Sequence, residues 1–485
     1  MKKSILLIIL LLCVYLLAAV PLRILFTNDT HSYYMPKTYK SDGQTFSLGG
    51  YANLERILDE ERAAFPRNLT FDSGDQHTGT AFSNYVYEGV KGGAVVEVMN
   101  QLGYSAATFG NHEFDQTMND VKGYMRIAKF PYVNSNLMVG KKYFSPYPYK
   151  IFQLDSLRVG VIGLILTDLN EKVSITNTKG LKILPYKEAV DKVIDEVDRQ
   201  SDLVVLLTHI GVEDDSLLAT QLDSRVDVIL GGHTHAILQQ PMVVNGILIT
   251  ETGAQLIYLG ELDVDVQNDR IASWKHKLIP VEDKVNAPTV LSSFVGSIAD
   301  EIEKEQGEVL GTLTVPWIPD KYKETAASRW QAKALYDDYH IKSGADFSII
   351  NCGGIRTSLQ PGPITKKQMQ EMVPFGNIIQ TFTCRGKDIP HMIQMNLQMM
   401  KTQDHDIAQW YPITYDIVDS SRVTNIRINS IPLDPKKTYH GVSHDYVLTH
   451  YDKYLDFTPK HIKDTKIIFV NQLIDYIRKN KVVGE

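Results

Sequence analysis

Five short apolar runs in the first half of the chain each lead into a tight cluster of His, Asp, Asn and Gly. Residues 22–26 lead into Thr27-Asn-Asp-Thr-His31, 69–71 into Asp72-Ser-Gly-Asp-Gln76, and 105–109 into Gly110-Asn-His-Glu-Phe-Asp115. Further on, 203–207 lead into Thr208-His-Ile-Gly211 and 226–230 into Gly231-Gly-His-Thr-His235. Imidazole, carboxylate and carboxamide groups bind first-row divalent cations. A hydrolytic two-metal site needs one carboxylate to bridge the ions, plus open positions for water and substrate. Asp29 and His31 stand two apart, so in an extended segment both side chains leave from one side and suit one ion. His233 and His235 repeat that spacing, and Gly231-Gly232 before them lets the backbone turn sharply and approach an ion. Asp75 is the natural bridge, with Asn111 and His209 completing the second ion. Polar loops follow apolar strands in any α/β protein, but chance does not concentrate His, Asp and Asn in five of them.

The apolar runs have strand length, and helical patterns lie between some of them, at residues 51–62 and 187–200. An α/β layered domain, whose strand ends gather ligands, is the expected frame for residues 22–284. Residues 287–309 begin beside Pro288 and carry Leu291, Phe294, Ile298 and Ile302 at helical spacing, which predicts a linker helix within 285–310. After Gly311 the clustered His/Asp loops stop and a different Gly-rich motif appears, Asn351-Cys-Gly-Gly-Ile-Arg356, so a second domain is expected over 311–485. Arg356 follows a strand-like stretch at 347–350, and the glycines leave room for an anion beside the backbone.

In chain order, Asp29-Thr-His31, Gly74-Asp75, Gly110-Asn-His-Glu-Phe-Asp115, Thr208-His209 and Gly231-Gly-His-Thr-His235 resemble the signature of calcineurin-like metallophosphoesterases. The Gly-Asn-His-Glu-Phe-Asp form and the second domain make the chain similar to the 5′-nucleotidase/UDP-sugar hydrolase family, from about Leu22 to about Lys479. The resemblance implies a two-domain α/β architecture: an N-terminal layered metallophosphoesterase domain and a C-terminal α/β substrate-binding domain, joined by a helix. It also implies two divalent ions of the Zn, Mn, Co or Mg type. Asp29, His31, Asp75 and His235 would hold one; Asp75, Asn111, His209 and His233 would hold the other. Many family members have Gln where His235 stands. His112 takes the place of the catalytic histidine and Asp115 that of its orienting partner. The chemistry agrees: hydroxide bridging the ions attacks phosphorus in line, while an imidazolium near the ester oxygen stabilises the developing charge. Asp115, three residues on, can hold the ring and keep it protonated.

In the second domain the resemblance makes Arg356 a substrate-binding arginine. Pro374-Phe375-Gly-Asn377 matches the motif supplying one face of a base sandwich, Phe375, and a polar contact, Asn377. The opposite aromatic falls on Tyr446, and Asp452 stands where the family places a ribose-binding aspartate. Two aromatic faces suit a nucleobase because stacking tolerates any base. Three features depart from the pattern. The usual Gly-Gly-Asp-Gly-Tyr is His450-Tyr-Asp-Lys-Tyr454, the upstream arginines are matched by position only by Lys333 or nearby Arg329, and Cys352 replaces a Gly. The implied activity is removal of phosphate from nucleoside 5′-monophosphates, extending to UDP-sugars. A 2′,3′-cyclic-nucleotide 2′-phosphodiesterase/3′-nucleotidase is the alternative of the same class, and Asp115 speaks mildly against it, since such relatives often carry Asn there. A nucleotide-binding protein without turnover is the alternative of another class.

Length and composition bound these readings. The 485 residues fit two or three domains with sizeable cores and exclude a single small module. Lys and Arg number 50 against 57 Asp and Glu, a net charge of −7 with no basic block, so a nucleic-acid polymer is not an expected partner. Three cysteines, Cys13, Cys352 and Cys384, allow at most one bridge in the second domain, Cys352 to Cys384. Met1-Lys2-Lys3 and the unbroken apolar stretch at 5–20 read as an export signal in residues 1–21. Ala18 and Ala19 make a poor cleavage site just before a strand, so two fates fit. One is a cleaved signal and a periplasmic protein; the other is an uncleaved membrane anchor through residues 4–20.

Overall fold

The computed structural model describes residues 19–41, 44–284, 288–419 and 422–484, so the expected export segment falls almost wholly outside the described residues. Among the described residues no helix is long and apolar enough to cross a membrane. The chain divides into two compact units, Met1–Ala299 and Asp300–Glu485. The division falls within the helix Val290–Gln306, which forms where the apolar spacing predicts one. Leu291, Ile298 and Ile302 are buried, and Phe294 meets Tyr87 edge to face.

In the first unit, the five apolar runs are shared between two sheets. One sheet runs Ile271–Pro280, Tyr258–Val266, Val20–Thr27, Asn68–Asp72, Ala106–Ala107; the other runs Tyr149–Leu154, Leu157–Ile165, Leu203–His209, Val228–Leu230, Ile247–Thr250, Met242–Val244. Leu22, Ile24, Phe26 and Phe71 from the first pack with Val159, Val205, Leu207 and Leu230 from the second in one core. The other face of the second sheet, with Val204, Leu206 and Ile229, is covered by Val190, Ile194 and Val197 from helices. Burial on both faces explains why Leu203-Val-Val-Leu-Leu207 is apolar throughout rather than alternating.

Parallel pairing brings the loops together. Thr27 pairs with Asp72 and Asp72 with Ala107, so the segments that follow those strands emerge side by side. Leu207 pairs with Leu230 in the same way, placing His209 beside the Gly231-Gly232 turn. The run at 105–109 is strand only at Ala106–Ala107, because it is the short edge of its sheet. The helix expected over 187–200 is broken into Tyr186–Asp191 and Ile194–Gln200.

The second unit holds a mixed sheet in the order Ala408–Tyr411, Phe347–Asn351, Thr438–His444, Ile378–Arg385, Lys460–Ile468. Helices Ala326–Ser343 and Phe469–Asn480 pack on one face through Trp330, Leu335, Leu473 and Ile477. Helix Ile389–Thr402 packs on the other through Met392 and Ile393. Cys352 and Cys384 are buried free thiols, so the bridge the sequence allows is not formed.

Candidate functional site

Asp29, His31 and His235 form one cluster of metal-ligating atoms, and Asp75, His209 and His233 form another. Asp29 Oδ1 lies 3.2 Å from His235 Nε2 and 3.9 Å from His31 Nε2, and the two imidazole Nε2 atoms are 3.1 Å apart. Asp75 Oδ2 lies 3.1 Å from His209 Nε2, which is also 4.0 Å from Asp29 Oδ1. Asn111 Oδ1 meets His233 Nδ1 at 3.0 Å. The structure thus brings all seven expected metal ligands to one place.

Two backbone carbonyls set how the imidazoles face. His31 Nδ1 donates to Thr78 O at 2.7 Å, and His209 Nδ1 to Ser73 O at 2.8 Å, leaving each Nε2 turned inward. Asp29 Oδ1 and His209 Nε2 are buried without a hydrogen-bond partner, although anions and imidazoles surround them. Two orphaned atoms, set among converging Asp, Asn and His side chains, suit first-row divalent cations, so the residues present fit such ions.

The backbone is strained where these groups sit. Asp29, His31, Asp75, His233 and His235 all have positive φ, between 49° and 85°, in the left-handed region that L-residues other than Gly rarely adopt. Gly110 crosses so close to the Asp75 carboxylate that a Cβ there would fall 2.2 Å from its Oδ1. Glu113 holds this crossing together. Its buried carboxylate accepts from the backbone N–H groups of Asp75, Gln76, His77 and Gly110, and from His77 Nδ1.

The electrostatics follow from burial and charge. Burial would raise the Asp29 carboxyl, but His209 and His235 hold it down at about 2. Burial also opposes ionisation of Asp75, and His209 and His112 keep it well below the usual carboxylate range. Burial disfavours charge on His209, yet Asp75 and Asp29 raise it to about 10, so without a cation it carries a proton that a cation would replace. Burial lowers His31 to about 3; burial and the charge on His209 lower His233 to about 4, leaving both as neutral ligands.

His112 lies beside this group. Its Nδ1 is 2.5 Å from Asp115 Oδ2, within the turn His112–Asp115, and its backbone N–H donates to Asp75 Oδ1. Its Nε2 faces inward, 3.9 Å from Asp75 Oδ2, and it forms a third cluster with His31 and Asp75. Asn177 Nδ2 donates to the carbonyls of Phe114 and Asp115 at the end of that turn.

In the second unit, the Arg356 guanidinium stands 6.0 Å from the Phe375 ring centroid, and its backbone N–H donates to Met372 O just before the Pro374–Asn377 motif. Asn377 lends its carbonyl to the Phe469 N–H. Ile378 N–H donates to Asp445, the neighbour of Tyr446, so these segments are adjacent. Tyr446 leans on His450 and Tyr454, and Asp452 is exposed on the short helix Tyr451–Tyr454. Lys333 is not brought to this group. It pairs with Asp337 and sits over Tyr411, which pairs with Ser348 at the start of a strand whose far end leads to Arg356. Arg329 pairs with Glu324.

Two braces escaped the sequence reading, Glu113 and Asp406. Asp406 joins the Gly353 turn to Tyr454. For Glu113 a signal existed, since a carboxylate inside a ligand motif with no ligand role of its own is a candidate brace. For Asp406 there was none.

Residues 22–236 match the calcineurin-like phosphoesterase family and residues 309–458 the 5′-nucleotidase C-terminal domain. Fold and site together make this a metal-dependent phosphoesterase, a class whose domain implies divalent metal ions. The chain belongs to the 5′-nucleotidase/UDP-sugar hydrolase family. It is 24% identical to protein UshA of Escherichia coli, over 95% of this chain and 91% of that one. It is 26% identical to a 5′-nucleotidase of Vibrio cholerae, with the same coverage of each chain. The crystal structure of a 5′-nucleotidase precursor from Thermus thermophilus shares the fold, with a TM-score of 0.81 at 23% identity over 96% of this chain and 97% of that one.

Proposed function

We propose that the protein is exported and removes phosphate from nucleoside 5′-monophosphates with two divalent ions. Residues 1–21 direct export, 22–284 form the hydrolytic domain, 285–310 the connecting helix and 311–485 the substrate-binding domain. The observation that carries the reading is the pair of ligand clusters meeting at Asp29 and Asp75, with orphaned inward-facing atoms, beside the His112–Asp115 pair. Asp29, His31, Asp75 and His235 hold one ion; Asp75, Asn111, His209 and His233 hold the other. Two such ions supply positive charge to the phosphoryl oxygens and make water nucleophilic at neutral pH. Asp75 keeps both sub-sites in register. Asp115 orients His112 through Nδ1, so that Nε2 presents a proton to the leaving ester oxygen. Arg356 binds an anionic group, Phe375 and Tyr446 stack on the base, and Asn377 and Asp452 contact base and ribose. The relative named 5′-nucleotidase supports this substrate class.

The test is turnover of AMP by the full chain, abolished by chelation and restored by a divalent cation. A panel of 3′-AMP, a 2′,3′-cyclic nucleotide and UDP-glucose fixes the range of substrates. Phe375→Ala is expected to raise KM for AMP by roughly 1–3 kcal/mol of lost stacking, with little change for an aryl phosphate lacking a base. Equal losses for both substrates would make Phe375 a packing residue and remove the nucleotide reading's main support.

A further inference from the structure

Asp406 is largely shielded, its side chain 11% exposed, and accepts hydrogen bonds from two segments far apart in the chain. Its Oδ2 accepts from Asn351 Nδ2 at 3.0 Å and from the Gly353 N–H at 2.9 Å. Its Oδ1 accepts from the Tyr454 hydroxyl at 2.8 Å and faces Lys453 Nζ at 3.5 Å. Gly353 belongs to the turn Cys352–Gly354 that leads into Arg356, and a Cβ at Gly353 would fall 2.6 Å from Asp406 Oδ2. Tyr454 and Lys453 close the segment His450-Tyr-Asp-Lys-Tyr454, which follows Tyr446. Tyr454 is fully buried, so its hydroxyl has no water to replace Asp406 as acceptor.

We propose that Asp406 is a positioning residue for substrate recognition: it locks the Gly353 turn, which leads to Arg356, to the segment carrying Tyr446 and Asp452. The inference rests on the nucleotide reading above and deepens it. A carboxylate gripped by a backbone amide, a carboxamide, a phenol and an ammonium group is stiff, because each bond strengthens the others in a site shielded from water. It fixes the spacing between the two recognition segments. Truncating it leaves the Gly353 N–H and the Asn351 amide without their acceptor and the Lys453 charge without its counter-ion.

The experiment uses the full-length protein as wild type, Asp406→Ala, Asp406→Asn, Tyr454→Phe and the double variant Asp406→Ala/Tyr454→Phe. Amide exchange is followed in the peptide covering residues 351–356, and kinetics are measured with AMP. Tyr454→Phe should speed exchange at 351–356, which the Tyr454 hydroxyl reaches through Asp406. The double variant should add nothing beyond Asp406→Ala, the non-additivity expected of groups in one network. Asp406→Ala should raise KM for AMP about tenfold with kcat within about threefold, and Asp406→Asn, which keeps one of the two acceptor oxygens and loses the charge, should fall between wild type and Asp406→Ala. Unchanged exchange at 351–356 in Tyr454→Phe, additive effects, or a KM that stays at the wild-type value while only thermal stability falls would overturn the proposal. If Asp406→Ala does not fold, Tyr454→Phe, which removes a single hydroxyl, decides by its exchange and KM. Coupled exchange in a protein that does not hydrolyse AMP would sink the nucleotide reading alone. AMP hydrolysis with uncoupled exchange would sink the brace alone.

Discussion

At the scale of single residues the site turns on which atoms are already spent and which are not: Asp29 Oδ1 and His209 Nε2 are buried without a hydrogen-bond partner. His31 and His209 each spend Nδ1 on a backbone carbonyl, so their remaining nitrogens can serve only what lies between the clusters. Asp75 clusters with His209 and His233 and also lies within reach of His31, a member of the other cluster, and should therefore control both ions. Asp75→Asn is expected to abolish turnover and cut bound metal sharply, as read by elemental analysis of the purified protein; a fully active variant would refute the bridging role. His112 poses a sharper question, because its atoms also lie within ligand distance of His31 and Asp75. Its Nδ1 is committed to Asp115, and His31, His209, His233 and His235 would supply the imidazole ligands without it. His112→Ala should therefore keep its metal and lose on the order of 10²–10⁴ in kcat. Loss of metal from that variant would place His112 among the ligands.

At the scale of elements, parallel pairing does the positioning and buried carboxylates lock it. Thr27, Asp72 and Ala107 lie in register, and Glu113 then binds the turns after the second and third of those strands through four backbone N–H groups. Away from the site, Asp227 pins the neighbouring strand by accepting from the Val204 N–H. Burial pushes the Asp227 carboxyl up to about 7 from an ordinary value of 3.8. A folded-state pKa above the unfolded value means the native state holds the proton more tightly. The stability this contributes is complete below about pH 4 and is lost as pH rises through about 7. Asp227→Asn, which keeps an oxygen for Val204, should raise the stability at pH 8 relative to wild type by roughly 2–4 kcal/mol, shrinking toward zero near pH 4. Denaturant unfolding at the two pH values measures it; a pH-independent difference would show that Asp227 is ionised throughout.

At the scale of the whole molecule each of the two units has its own buried clusters, and among the described residues the candidate metal clusters lie in the first unit. A ligand that binds the native state stabilises the unit it binds, by about 2.7 kcal/mol when present at 100 times its Kd. Chelation should lower the melting temperature of the first unit and leave that of the second in place. Calorimetry would show the transitions. Trp317 and Trp330, 4.4 Å apart in the second unit's core, report that unit by near-ultraviolet dichroism once Trp274 of the first unit is replaced by Phe. A shift of the tryptophan signal with chelator would mean the two units unfold as one.

The sequence alone determined the ligand types, their grouping in five loops and the strands that carry them, because apolar runs and polar clusters are local patterns. It also determined the helix Val290–Gln306 and the strand before Arg356. Tertiary structure decided what depends on pairing across the chain. Two sheets share the five strands, since a continuous apolar run such as 203–207 does not say which sheet it joins. The run at 105–109 keeps only two residues of strand because it is an edge. Lys333 and Arg356 share a neighbourhood in chain order, yet opposite ends of one strand separate them. Glu113 and Asp406 became visible only as acceptors for groups brought to them from elsewhere in the chain. A buried carboxylate's role is set by which donors surround it, and those donors are chosen by the fold.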